Sequence, residues 1–153
     1  MRRDVEMMNR IRMEMMSLPR NEALARSVAA AFIAPLDPTI EELADVRTAV
    51  SEAVTNAIVH GYRLGSGVII MECSIEGNTF TVSVEDRGCG IEDIPLAMEP
   101  FYTTGPEGER TGMGFAVMKA FMDSVKVESE IGRGTKVIMK KRFGNGDGSR
   151  AEG

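Results

Sequence analysis

The sequence predicts an α+β fold, a two-layer sandwich in which a mixed, mostly antiparallel sheet is covered on one face by helices. Two helix-period segments lie between a first strand and a hairpin, and a third helical segment precedes a second hairpin. The strand-like runs alternate polar with apolar residues, as half-buried strands do. With 153 residues the chain makes one domain, and a globule of this size buries roughly 70% of the surface its unfolded chain exposes.

Arg10-Ile11-Arg12-Met13-Glu14-Met15 alternates cleanly, which predicts a first strand running to about Leu18, after a loose arm over 1–9. Pro19-Arg20-Asn21-Glu22 offers a helix start with Asn21 as N-cap, and the Ala-rich stretch to Ile33 keeps helical spacing until Pro35 and Pro38 end it. Thr39 caps a second helix, with Glu42 three residues on completing a capping box; the pattern continues to His60, where Gly61 stops it. Val68 to Ile75 and Thr79 to Glu85 form a hairpin around Glu76-Gly77-Asn78. Ile91 to Met98 reads as a short helix, and Phe101 to Gly114, rich in Gly, Thr and charge, as a long loop of the kind that is functional or disordered. Phe115 to Met122 is helical in pattern. Ser124 to Glu130 and Thr135 to Lys141 close the domain as a hairpin around Gly132-Arg133-Gly134, giving a domain over 10–142 and a disordered tail over 143–153.

Composition excludes several classes of function. Eighteen Lys and Arg against 23 Asp and Glu leave a net charge of -5, the wrong sign for holding nucleic acid by phosphate neutralisation. No apolar run approaches the ~20 residues that span a bilayer, and Met1-Arg2-Arg3-Asp4 opens without the apolar segment of a signal peptide, so the expectation is a cytoplasmic chain. Cys73 and Cys89 lack CxxC spacing, and reduced thiols are expected. Twelve Met with no Trp suit an adaptable apolar interior.

The chemistry concentrates in three short motifs. On a helix, Glu52, Asn56 and His60 fall at about 0°, 40° and 80°, away from the stripe of Leu43, Val46, Val50, Val54 and Ala57. A solvated face would explain this, but Asn competes for backbone hydrogen bonds and is a poor choice inside an Ala/Val-rich helix. Its carboxamide oxygen suits Mg²⁺, which needs few protein ligands when phosphates and water complete its shell. Glu52, one turn away, can accept a proton from whatever attacks a phosphate. Asp86, at a strand end, can accept a hydrogen bond from the exocyclic amine of adenine, and Gly88 and Gly90 let the backbone turn and approach a flat ring; the alternative is an ordinary turn. Gly112-Met113-Gly114 precedes a helix, where exposed amides make an anion site, with Arg110 two residues before it. Tyr62 and Tyr102 flank the site. His60 reads as a helix-end residue favoured by the dipole. The sequence holds no Walker-type phosphate loop, no complete GxGxxG and no His cluster for a metal.

In this order and spacing, Glu52-xxx-Asn56, Asp86-x-Gly88-x-Gly90 and Gly112-x-Gly114 resemble the three boxes of the ATPase family shared by gyrase, a heat-shock chaperone, histidine kinases and mismatch-repair proteins. The likeness implies the histidine-kinase-like ATPase, or Bergerat, fold. Ser51 to Tyr62, Glu109 to Phe115, Phe121-Met122-Asp123 and Glu128-Ser129-Glu130 resemble the small anti-sigma-factor serine kinases. The sporulation branch is the nearer match and the stress-response branch the alternative. The resemblance implies ATP or ADP with Mg²⁺, Asn56 as metal ligand, Glu52 as base for a serine hydroxyl, and Asp86, Gly88 and Gly90 at the adenine. It places Thr104 in a lid over Phe101 to Gly112, and Arg110, Gly112 and Gly114 at the phosphates. It also implies a sigma factor as bound partner, an anti-anti-sigma protein as phosphorylated substrate, Arg26 as a partner contact, and a homodimer. Two departures stand out: the loop Tyr62 to Gly67 is short, and Gly105 occupies a lid position where a lysine is expected. A nucleotide-gated binding module without transfer and a water-hydrolysing ATPase remain the alternatives from other classes.

Overall fold

The computed structural model describes residues 8–98 and 114–144. Its strands are β1 (Asn9–Met16), β2 (Val68–Glu76), β3 (Thr79–Asp86), β4 (Ser124–Glu130) and β5 (Gly134–Arg142), in one sheet of spatial order β1-β2-β3-β5-β4. All four pairings are antiparallel. The expectation of a mixed sheet is corrected here for a topological reason: β4 takes the outer edge and β5 returns between it and β3, so no two strands that run the same way pair. The helices are α1 (Arg20–Ile33), α2 (Ile40–Asn56), α3 (Ile94–Ala97) and α4 (Gly114–Phe121), with a 3₁₀ turn at Ala34–Leu36 and a π-helical turn at Ala57–Gly61.

Strand periodicity decides which face the helices cover. Cross-strand register aligns Ile11, Cys73, Val82, Met139 and Val125 in one row and Met13, Met71, Val84, Val137 and Val127 in the next. These rows pack with Val46, Ala49, Val50, Ala53 and Val54 of α2, with Ala25, Ala29, Phe32 and Ile33 of α1, and with Met118 of α4 in one continuous core. Phe32 and Phe80 meet with ring centroids 6.2 Å apart. The intervening positions carry Arg12, Glu14, Glu72, Glu85, Lys126, Lys136 and Lys140 on the opposite face, where Arg12 Nη1 bonds Glu72 Oε2 at 2.7 Å.

Helix starts follow local chemistry, with one correction. Thr39 and Glu42 form the expected capping box, with bonds of 3.0 and 2.9 Å. Asn21, expected as N-cap of α1, lies inside its first turn. Pro19 already holds helical angles (φ -53, ψ -34), so the helix begins before Asn21, whose Nδ2 donates instead to the Met16 carbonyl at 2.9 Å. The domain boundary also moves. Phe143, assigned by sequence to the tail, is fully buried in the core and donates its amide to the Asn78 carbonyl at 2.8 Å.

Lys141 joins three elements at this end of the sheet. Its ammonium, on a side chain 12% exposed, donates to the last carbonyl of α4, Phe121 O, at 2.9 Å and pairs with Asp45 of α2 at 3.5 Å. A cation there also meets the negative end of the α4 dipole. Replacing Lys141 by Ala removes both bonds and leaves the half-buried Asp45 carboxylate and the end of α4 without this cation, so stability should fall by about 1 kcal/mol, read from the urea midpoint. Lys126→Ala, at a side chain 71% exposed beside Glu128, should leave the midpoint unchanged.

Candidate functional site

A cavity of about 300 Å³ opens where the end of α2, the π turn, the end of β3, the segment 89–93, α3 and the start of α4 converge. Its wall includes Asn56, His60, Gly61, Arg63, Asp86, Cys89, Gly90, Gly114 and Thr135, with Ala53, Val84, Ile91, Phe115 and Val137 as apolar lining. A small apolar chamber with a few convergent polar groups is the usual form of a small-molecule site.

Only part of the first motif reaches the wall. Asn56, the last residue of α2, stands in the wall, whereas Glu52, one turn earlier and half-buried, is not a wall residue. After Asn56 the helix widens: the Tyr62 amide reaches back five residues to the Ala57 carbonyl at 2.9 Å, and the π turn brings His60 and Gly61 into the wall. Such widened turns cluster at functional sites. The helix ends near Gly61 as expected, but Gly61 lacks the positive φ of a left-handed cap. It is small because the Asp86 carboxyl lies against it; a Cβ there would sit 2.6 Å from Asp86 Cγ.

Asp86 is 5% exposed at the end of β3. Its Oδ1 accepts the Gly88 amide at 2.8 Å, and the carboxylate also accepts the backbone N–H of Thr135, its register partner on β5. Burial is the largest influence and pushes its pKa up to about 6, against the pull of the two amides. The carboxyl is therefore fixed, buried and costly to ionise without a ligand.

The glycines of the second motif are required by the chain itself. A Cβ on Gly88 would overlap the Gly61 carbonyl, which accepts the Cys89 amide at 3.0 Å. Gly88 thus lets two chain segments cross behind Asp86, and it is not part of the cavity wall. Gly90, which is, adopts φ +83, and a Cβ there would run into the Glu130 carbonyl of the β4–β5 turn. Both glycines answer to chain packing before any ring approaches. Gly114 is buried in the wall as the first residue of α4. Thr104, Arg110, Gly112 and the lid lie outside the described residues. Arg26 sits on α1, away from the cavity wall, and Glu22 holds it at 2.7 Å.

Sequence reading missed Thr135, Ser129 and Arg63. Ser129 on β4 accepts the Ile91 amide at 2.7 Å, and its Oγ lies 3.0 Å from the Gly134 carbonyl and 2.8 Å from Thr135 Oγ1. Arg63 stands in the wall with φ 51, followed by Leu64 at φ 66. Tyr62 is a peg outside the wall: its hydroxyl donates to the Val68 carbonyl at 2.6 Å and accepts the Arg87 amide at 2.7 Å. Ser129 entered the sequence reading only within a resemblance; cross-strand register, which pairs it with Thr135 and Thr135 with Asp86, brings both to the site.

A family model described as histidine kinase-like ATPase domain matches residues 15–141. The anti-sigma F factor of Clostridium kluyveri is 55% identical over 135 residues, covering 88% of this chain and 95% of the relative. That of Clostridium perfringens is 56% identical over 136 residues, covering 88% and 97%. Among solved structures, the RsbU and RsbW domains of a Mycobacterium tuberculosis protein align with TM-score 0.64 at 20% identity, over 88% of this chain and 32% of that longer one. The catalytic domain of the histidine kinase ThkA aligns at 0.54 and 15%, over 87% and 96%. At these identities the two structures bear on the fold, and the fold agrees. The chain belongs to the histidine kinase-like ATPase domain family and, within it, to the anti-sigma F factors.

Proposed function

We propose that this protein binds and silences a sigma F-type sigma factor in the cytoplasm and is an ATP-dependent kinase that phosphorylates a serine of its anti-anti-sigma antagonist. The observation that carries the reading is one cavity whose wall holds both the Asn56 carboxamide and the buried Asp86 carboxylate. The histidine kinase ShkA, which shares the fold with TM-score 0.55 at 23% identity over 80% of this chain and 30% of that one, was solved with the ATP analogue AMPPNP. The relatives named anti-sigma F factors support the partner.

Asp86 accepts a hydrogen bond from the adenine amine, a contact that a 6-oxo purine does not offer. The N-terminal amides of α4, beginning at Gly114, face a phosphate chain favourably. By family likeness Thr104, Arg110 and Gly112 complete the phosphate contacts, Arg26 meets a partner, and the protein is a homodimer. The donor set also fits Mg²⁺: the Asn56 carboxamide oxygen suits an ion that keeps phosphates and water in its shell. When bound, Mg²⁺ would neutralise phosphate charge, with Asn56 as its protein ligand. Glu52, outside the nucleotide wall, accepts the serine proton as the serine oxygen bonds to the γ-phosphorus and ADP leaves. A base that serves a protein side chain belongs at the rim, where the two partners meet.

Glu52→Gln keeps the shape and removes the base. It should lower phosphoserine formation by about 10²–10⁴-fold while leaving ATP affinity within about threefold of the parent. Equal turnover in the variant would take Glu52 out of the base role. Measured without nucleotide, Asp86→Asn should stabilise the fold by about 1–3 kcal/mol above pH 6, where the buried carboxylate is charged. Because the folded pKa lies above the unfolded one, the ionisation cost is absent below pH 4 and complete above pH 6. The advantage of the Asn variant should therefore shrink to nothing as pH falls from 6 to 4 in paired denaturation curves. The same variant should bind ATP at least tenfold more weakly.

A further inference from the structure

The helices α2 and α4 run side by side in opposite directions, and the two ends of the pair differ. At the cavity end Asn56, the last residue of α2, and Gly114, the first of α4, stand in one wall. At the far end the Lys141 ammonium of β5 lies between the helices, 2.9 Å from the Phe121 carbonyl that closes α4 and 3.5 Å from Asp45 Oδ2 on α2. With a rise of about 1.5 Å per residue, Asp45 is roughly 17 Å from Asn56 along α2, and Phe121 is roughly 10 Å from Gly114 along α4.

Apolar packing fixes only part of how these helices sit. Phe115 and Met118 of α4 share the core with Val46, Ala49, Val50 and Ala53 of α2, which sets the distance between the axes. Apolar contact is not directional, and packed helices shear by small slides along one another. Directional bonds at the far end oppose such a slide. The turn after α4 is held to β5 by the Asp123 amide on the Lys140 carbonyl at 2.8 Å and by the Arg142 amide on Asp123 Oδ2 at 2.6 Å. Neither bond reaches α2. Lys141 does, and with its side chain 12% exposed its pair with Asp45 is less screened by salt than a surface pair.

We propose that Lys141, acting through Asp45, is a positioning residue for the phosphate end of the site: it sets the register of α4 on α2, and so the spacing between the start of α4 and the Asn56 carboxamide. The inference rests on the nucleotide reading above and deepens it. Lys141 touches no ligand. Gly61, Asp86 and Thr135, at the base end of the wall, belong to the π turn and the sheet rather than to α4. Misplacement by about 1 Å can cost about 10²-fold in a site that works by orientation, so a pair this remote has a measurable effect.

The test is equilibrium binding of ATP with Mg²⁺ and of adenosine to the full chain. Adenosine carries the base without phosphates and reports the base end alone. Lys141→Met, which keeps the apolar stem and removes both bonds, should weaken ATP about tenfold and leave adenosine at the parent's affinity. Asp45→Ala leaves Lys141 on the Phe121 carbonyl and should give the same selective loss; it serves if Lys141→Met does not fold. Lys141→Arg, which keeps a cation between the helices, should restore ATP binding. ATP affinity at the parent's value in Lys141→Met and Asp45→Ala overturns the inference. So does equal weakening of ATP and adenosine, the result that a merely structural role gives. A parent that binds neither ATP nor adenosine would instead overturn the nucleotide reading.

Discussion

The buried carboxylate of Asp86 is the constraint around which this end of the molecule is organised. Its place is dictated by strand parity: Asp86 continues the alternation of Phe80, Val82 and Val84 onto the covered face of the sheet, where an apolar residue would ordinarily stand. Two backbone amides, a neighbouring glycine and a chain crossing are needed to keep it there. Gly61 and Gly88 have no room for a Cβ because the carboxyl and the π turn are pressed together. Hydrogen bonds from amides stabilise the charged form, yet burial outweighs them and holds the pKa near 6. Folding alone gives no reason to keep such a group. A ligand that donates to it does, and this fits the view that strain and cost concentrate where function requires them.

Much of this was readable from one sequence because it depends on local signals. The capping box at Thr39 and Glu42, the hairpin at Gly77, and the alternation of β1 and β3 each rest on residues close in the chain, and each appears with its expected boundary to within two residues. The first two motifs do meet at one cavity. What failed depended on partners distant in sequence. Asn21 looked like a cap because a helix was expected to need one, but Pro19 had already set the angles and the Met16 carbonyl claimed the side chain. The reason Gly88 must be glycine was likewise out of local view: the Gly61 carbonyl, 27 positions earlier, occupies the place of a Cβ. Thr135 and Ser129 were invisible for the same reason: nothing in their neighbourhood announces that β5 will lie beside β3 and set Thr135 against Asp86.

The π turn shows how a local departure serves a distant requirement. An uninterrupted α-helix to His60 was the natural reading, and it would leave the chain after Asn56 on the path of α2. The extra residue per turn swings His60 and Gly61 into the wall while Asn56 keeps its helical position. Tyr62 then locks the exit with bonds to Val68 and Arg87, at the start of β2 and just past β3. The strained pair Arg63 and Leu64 follows at once, held by the Leu64 amide on the Ile58 carbonyl. Backbone bonds from Tyr62, Leu64 and Gly65 thus tie the start of this loop to the π turn and place Arg63 in the wall.

The two ends of the sheet are specialised in opposite directions. At one end β3 begins and β5 finishes: Phe80 is packed against Phe32, Phe143 is fully buried, and Lys141 ties α2 to the end of α4. At the other, β3 finishes at Asp86 and β5 begins at Gly134, and the groups that meet are glycines, amides, hydroxyls and one carboxylate. Apolar closure at the first end supplies stability that the second end, with its costly charge and its cavity, does not. The strands between join both tasks: Val82, Val84 and Asp86 alternate onto the same covered face, so packing at the valines sets where the carboxylate stands. That arrangement fixes the Asp86 carboxylate against the core, and the α4 start and the segment 89–93 complete the cavity wall around it.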